Sequence, residues 1–392
     1  MFVLLSVARK VVARCGLRTG ALAAALGLAA CGPVITSGGG GGASGPVQVA
    51  LLVPSGSGES SDELLAQNLE NAARLAISDL NGVKVDLRVY STGATPEAAA
   101  STATQAVNDG ARIILGPVFA QAANAAGAAV AGRGVNVLSF SNNADIAGRN
   151  VFILGPTFRN TADRLVRYAV SQGKTSIAVL HDQTPAGAAG FKAIEAAIAA
   201  NGATLATEAS YPFSQQGVIA AVPGIATSIK SSGAQAVFFT SDTAGALPLV
   251  TQLMSENGID PAMIQYIGLT RWDIPATTLA LPGVQHGWFA EPDPGTNQQF
   301  ATRYTAAYGT GPLPIAGLAY DGIAAIGALV QAGQGDLSAG ALTQPSGFVG
   351  VNGIFRLMPD GTDQRGLAIA QIVNNQVNVI DPAPRSFGGP GS

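Results

Sequence analysis

The stretches DGARIILGPVFAQAANA (residues 109–125) and SGAQAVFFTSDTAGALP (residues 232–248) decide the fold. Both pass a Gly-Ala corner, run through a short apolar segment and enter a loop that opens a helix. A short apolar run bounded by turn residues suits a strand buried on both faces. Its repetition implies two similar βαβαβ units. The fold class read from it is α/β, with two doubly wound, Rossmann-like lobes.

The flanking segments fit that frame. VQVALLV (47–53) is another doubly buried strand. Ser60 and Glu63 form a capping-box pattern ahead of Leu65, Leu69, Ala72, Ala76 and Leu80, and Gly82 ends that helix. VKVDLRVY (83–90) alternates strictly and predicts a strand near a sheet edge. Thr95-Pro96-Glu97 opens the next helix, and VNVLSF (135–140) follows as a strand. A second series holds strand SIAVLHD (176–182), a helix over 187–201, strand ATLATEASY, a helix over 218–232 and strand AQAVFFTS. After Val284 come strand HGWFA, two helices, and β-signals divided by the turns Pro359-Asp360-Gly361 and Asn374-Asn375. We assign 47–155 plus 285–340 to lobe 1, 156–284 plus 341–381 to lobe 2, and 382–392 to a flexible tail.

Composition excludes several chemistries. The two cysteines, Cys15 and Cys31, both precede the folded region, so it holds no disulfide framework or cysteine metal site. The two histidines, His181 and His286, lie too far apart for a zinc motif on one helix. Net charge is −3 with no basic stripe, so no nucleic-acid partner is expected. SGSGE lacks the spacing of a nucleophile elbow, and GKTS (173–176) precedes a strand rather than opening a helix. His181 beside Asp182 has no partner nucleophile to name. The reading is a binding protein, not an enzyme, with no metal and no cofactor.

The N-terminus reads as an export signal. Arg9, Lys10, Arg14 and Arg18 precede a short apolar run over 19–30, well under the ~20 residues a membrane-spanning helix needs. Leu28-Ala29-Ala30-Cys31 resembles the bacterial lipobox. That resemblance implies cleavage after residue 30 and lipid attachment at Cys31, anchoring the protein to a membrane facing the periplasm. Gly32 is not the Asp that retains lipoproteins in the inner membrane, which favours the outer one. Residues 31–46, with glycines at 38–42, form a tether spanning roughly 20 Å as a Gly-rich coil.

Ligands of open α/β sheets meet the carboxyl ends of the strands. The loops there supply Ser55, Ser57, Phe119, Ala120, Gln121, Ser139, Ser141, Asp182, Thr184, Asp242, Trp272 and Asp273 as cleft candidates. Hydroxyls leading into helix starts suit an anion, and carboxylates suit an ammonium. The same residues also suit helix caps.

The order ALLVP, SGSG, ILGPVFAQAANA, VLSFSNN, FILGPTFRNTADRLVRYA, AVLHDQTPAGAAGFKAIEAAIAANGATL and LAYDGIAAIGAL resembles the type I periplasmic binding fold of leucine/isoleucine/valine-binding proteins. The resemblance spans 47–381 and implies a chain that crosses between lobes three times and clamps ligand between them. YIGLTRWDIPATTLALPGVQHGWFAEPDP, FATRYTAAYGTGP and AYDG resemble the penicillin-binding protein activator lipoproteins. That match implies a class A penicillin-binding protein as partner, with Arg271 and Trp272 as exposed anchors or Trp272 as core or cleft wall. The best-known activators carry a helical-repeat domain where this chain has its tether, which shortens the expected reach. The rival reading is the substrate-binding protein of a branched-chain-type amino-acid ABC importer. Amino-acid binders of the family carry Ser or Thr where this chain has Ala120, and Tyr where it has Ala186. Both departures weaken a small amino-acid-like ligand, and no response to leucine, isoleucine or valine is expected.

Overall fold

The computed structural model describes residues 45–388 apart from 334 and 336. The expected signal peptide, Cys31 and nearly all of the tether lie outside the described residues.

Strand β1 (Val47–Val53) shows why its sequence is apolar throughout. Val49 and Leu51 pack into one core while Ala50 and Leu52 pack into another on the opposite face. β2 (Val85–Ser91), β3 (Ile113–Leu115), β4 (Asn136–Ser139) and β5 (Val151–Ile153) complete a parallel sheet in the order β2-β1-β3-β4-β5. The alternating segment therefore lies at the edge, as expected. Helix α1 (Ser60–Asp79) covers one face, and α2 (Pro96–Asn108) and α3 (Ala120–Val130) cover the other. Thr95 caps α2 by accepting from the Ala98 N–H. The expected Ser60–Glu63 box does not form. Glu59 occupies the cap position, and Glu63 Oε1 accepts from the Gly56 N–H at 2.6 Å. Gly56 and Gly58, at φ +83° and +88°, fold the loop back over the first turn and present that amide to the carboxylate.

The second lobe repeats the plan. Helices α4 (Phe158–Ser171) and α5 (Pro185–Ala200) pack against Ile177 and Val179 of β6 (Ser176–Asp182). Helices α6 (Gln215–Ser232) and α7 (Leu247–Glu256) pack against Ala178 and Leu180. β7 (Thr204–Tyr211), β8 (Ala236–Phe239), β9 (Gln265–Gly268) and β10 (Trp288–Glu291) run parallel to β6. The chain then forms α8 (Pro294–Tyr308), α9 (Ala316–Gln331) and the short α10 (Ala339–Leu342). A small antiparallel sheet follows, of β11 (Phe348–Gly350), β12 (Gly353–Leu357) and β13 (Asp363–Arg365). Antiparallel β14 (Ala368–Val373) and β15 (Gln376–Asp381) extend the second sheet to the order β15-β14-β10-β9-β8-β6-β7.

The chain passes between lobes three times, over 154–157, 292–293 and 366–367. Two lobe boundaries read from sequence move. Residues 285–291, expected in lobe 1, belong with lobe 2, because Trp288 pairs with Ile267 and Gln371. Residues 341–365, expected in lobe 2, belong with lobe 1, because Leu342, Phe348, Phe355 and Leu357 pack into the core of β1 and α1 and β13 pairs with β12. The tail is ordered over 382–388: Ala383 is buried, and the Arg356 guanidinium lies 4.6 Å over the Phe387 ring.

Candidate ligand cleft

A cavity of about 600 Å³ opens where both lobes and the crossing segments meet. That lies within the ~300–1,000 Å³ usual for small-molecule sites. The loop after β3 supplies Val118, Phe119 and Ala120, and the end of β4 supplies Phe140 and Ser141 to Asn143. From the second lobe come Leu269 to Arg271 and Ile274 after β9, and Ala290 to Pro292 at the end of β10. The crossings add Phe158 and Thr161, and later Arg365 and Leu367, while Ile315, Leu318 and Asn352 close the first-lobe side. The wall is thus largely aromatic and aliphatic, with a few polar groups at fixed places.

Those polar groups differ in availability. Ser139 Oγ donates to the Pro117 carbonyl at 3.1 Å and accepts from the Ser141 N–H at 3.1 Å. Ser141 Oγ accepts from the Asn143 N–H at 3.1 Å, so its own proton points to no acceptor among the described residues. Arg365, 2% exposed at its side chain, has each of its three nitrogens engaged: it donates to the Leu154 carbonyl, Asp321 and Asp363. Asp321 in turn accepts from the Val351 N–H at 2.8 Å and Asn352 Nδ2 at 3.0 Å. A Cβ at Gly350 would lie 2.0 Å from Asp321 Oδ1, so glycine is needed there. This buried cluster ties the first crossing, the third crossing and α9 together. Burial pushes Asp363 up to about 7 against the lowering pull of Arg365.

Arg271 is different. Its Nε donates to Asp273 Oδ1 at 2.6 Å and its Nη2 to Asp273 Oδ2, while Nη1 has no hydrogen-bond partner among the described residues. Glu291 Oε2 stands 3.5 Å from Nη2. Burial pushes Glu291 up to about 7; Arg271 pulls the other way and Asp273 adds to the rise.

The sequence profile described as "Periplasmic binding protein" matches residues 46–376. The chain belongs to that family. No curated protein matches the sequence. Solved structures similar to this periplasmic binding protein include a protein of Rhodospirillum rubrum provisionally assigned as a branched-chain amino acid ABC transporter. It has TM-score 0.72 and 19% identity, over 86% of this chain and 100% of that one. A branched chain amino acid ABC transporter periplasmic ligand-binding protein of Burkholderia xenovorans has TM-score 0.68 and 17% identity, over 88% and 97%. An ABC-transporter solute binding protein of Rhodopseudomonas palustris, in complex with 3,4-dihydroxybenzoic acid, has TM-score 0.60 and 19% identity, over 88% and 99%. At these identities the likeness establishes the fold.

Of the sequence-derived candidates, this periplasmic binding protein brings Phe119, Ala120 and Ser141 to the cavity. Ser139 lies behind it, and Gln121 is exposed on the first turn of α3. Ser55 and Ser57 shape their own loop: Ser55 Oγ meets Ser91 Oγ at 2.6 Å, and Ser57 Oγ accepts from the Glu59 N–H. Asp182 and Thr184 cap α5, with Asp182 Oδ1 accepting from Thr184 and Thr184 Oγ1 from the Gly187 N–H. Asp242 closes the turn before α7, its carbonyl accepting from the Gly245 and Leu247 N–H groups. Trp272 is neither cleft wall nor surface anchor. It is 0% exposed in the core of the second lobe. Asp273 reaches the site only by holding Arg271. His181 is engaged by the Asp182 carbonyl and Glu208. Among the described residues no cluster of His, Cys, Asp or Glu is arranged to hold a metal, and no helix is long and apolar enough to cross a membrane.

Sequence reasoning missed Phe158, Glu291, Asn352, Arg365 and Leu367. One signal was available: Glu291 ends the apolar strand WFAE ahead of Pro292. A carboxylate at the end of a buried strand is rare without a role, because Glu is almost never fully buried unpaired.

Proposed function

We propose that this chain is the solute-binding component of an ABC importer, and that its cargo is a small solute with an apolar, ring-sized body and a polar head. The observation that carries this is the cavity between the lobes, walled by Phe119, Phe140 and Phe158 and holding Ser141, Arg271 and Glu291 as polar contacts. The body packs among the rings; the head meets the Ser141 hydroxyl and the Arg271–Glu291 pair. Family membership supports the reading, as do similar structures described as ABC-transporter ligand-binding proteins. Ala120 lines the cavity without a hydroxyl, and Ala186 is exposed away from it, so a small branched amino acid keeps few of its expected contacts. A lipid anchor at Cys31 would hold the carrier at the periplasmic side of a membrane, the outer one on the Gly32 criterion. Activation of a class A penicillin-binding protein would need exposed anchors; of the two offered, Trp272 is enclosed and Arg271 lines the cavity, held by Asp273.

Calorimetry with the twenty amino acids and a set of aromatic acids tests the reading. A solute that binds only the folded state stabilises by about 2.7 kcal/mol at 100 Kd, so thermal shift serves as the screen. We expect saturable binding of a solute with an aromatic or larger branched body, and none of leucine, isoleucine or valine. Failure of every solute, together with capture of a peptidoglycan synthase by the same protein, would overturn the proposal.

A further inference from the structure

The charge of the cleft does not balance. Arg271 already presents its Nε and Nη2 to both oxygens of Asp273, which satisfies that fork of the guanidinium. Glu291 is therefore a second carboxylate on a cation that has one. At 3.5 Å it is attracted by Arg271 but lies beyond a normal hydrogen bond to it. Among the described residues that line the cavity, the other cation is Arg365. On β14 the residue paired with Glu291 is Ala368. Asp293, two residues on, is occupied capping α8 through the Gly295 and Thr296 N–H groups, and Arg365 is already paired with two carboxylates, Asp321 and Asp363. The Glu291 side chain is only 9% exposed, so water screens it little, yet it lines the cavity.

Resting on the reading of this cavity as the cargo site, we propose that Glu291 selects cargo by charge. Ionised Glu291 holds a cationic head group, a cargo whose head is a bare carboxylate is rejected, and a proton competes with cargo for the same carboxylate. A buried ion without a partner is costly and takes up a proton instead, which agrees with the rise of Glu291 to about 7. A cation in the cavity supplies the missing partner and displaces the proton. An anion would find Nη1 open, but on a guanidinium whose single charge is outweighed by the two carboxylates of Asp273 and Glu291. Capture is then favoured at neutral and alkaline pH and release in acid.

The test uses matched probes measured by calorimetry: 2-phenylethylamine against 3-phenylpropionate, and phenylalanine as the zwitterion. With one competing proton at a group near 7, a cationic probe should bind about 30-fold more weakly at pH 5.5 than at pH 8. The carboxylate should show no saturable binding at pH 8, where Glu291 is ionised. Glu291→Gln should flatten the pH dependence, and Glu291→Asp should keep it. If the Gln variant fails to fold, the Asp variant and the wild-type pH profile still decide. A carboxylate that binds as tightly as the amine at pH 8, or amine affinity that is flat in pH, overturns this inference and leaves the carrier reading intact. Failure of these probes and of the wider solute screen alike overturns the carrier reading and this one with it.

Discussion

Replacing Trp272 with alanine separates a core residue from a surface anchor. The indole lies in the second-lobe core between β9 and the start of β10. A Cβ on Gly268 would come within 2.3 Å of its Cε2 and Nε1, and one on Gly287 within 2.3 Å of its Cζ3. The Phe239 ring is tilted against it at 6.1 Å. Sheet backbone on both sides cannot collapse into the space left behind, so the cavity persists and Trp272→Ala should cost about 3–5 kcal/mol. The Nε1–H is buried with no acceptor, so truncation orphans no polar partner. Trp272→Phe keeps most of the ring and deletes that donor, and should lie within about 1 kcal/mol of wild type. Urea unfolding, followed by far-ultraviolet circular dichroism, reads both variants. Because Leu269 to Arg271 line the cleft just ahead of Trp272, cargo affinity should fall with stability in the Ala variant. A Trp272→Ala protein that unfolds at the wild-type midpoint yet loses capture of a penicillin-binding protein would refute the core assignment and restore the anchor.

Asp321→Ala should cost about 3–5 kcal/mol, since it leaves the buried Arg365 without one of its carboxylates; a urea midpoint near wild type would show that the cluster does not hold the crossings. Thr184→Ala should cost about 1 kcal/mol with cargo affinity unchanged, which calorimetry and unfolding together check. Glu291 and Asp363 are both raised to about 7, against about 4 in the unfolded chain. Between those values the folded state holds protons that the unfolded state has released, so their contribution to stability is full below about pH 4 and is lost as pH rises to 7. Glu291→Gln should reduce that slope in cargo-free protein, and an unchanged slope would contradict it. Cys31→Ser protein should leave the membrane fraction after a carbonate wash; retention there would point to an apolar segment rather than a lipid.

The local chemistry was legible in the sequence. Alternation in 83–90 placed an edge strand, the apolar run 47–53 placed a doubly buried one, and Thr95 with Pro96 placed the start of α2. Phe119, Ala120 and Ser141 were within reach because each follows a strand end, where a doubly wound sheet puts its ligands. The capping residues Asp182 and Thr184 satisfied the same rule without entering the cavity. A hydroxyl or carboxylate before a helix serves the helix by default, and only position in space separates the two uses. Tertiary structure alone decided which sheet takes Trp288 and which core takes Phe355, because strand pairing depends on partners distant in the chain and short apolar strands carry no address. The same holds for Glu291. Its neighbour Asp273 is legible as a residue, but the fact that Arg271 has already been claimed by Asp273, leaving Glu291 buried without a cation of its own, exists only once two strand ends stand side by side.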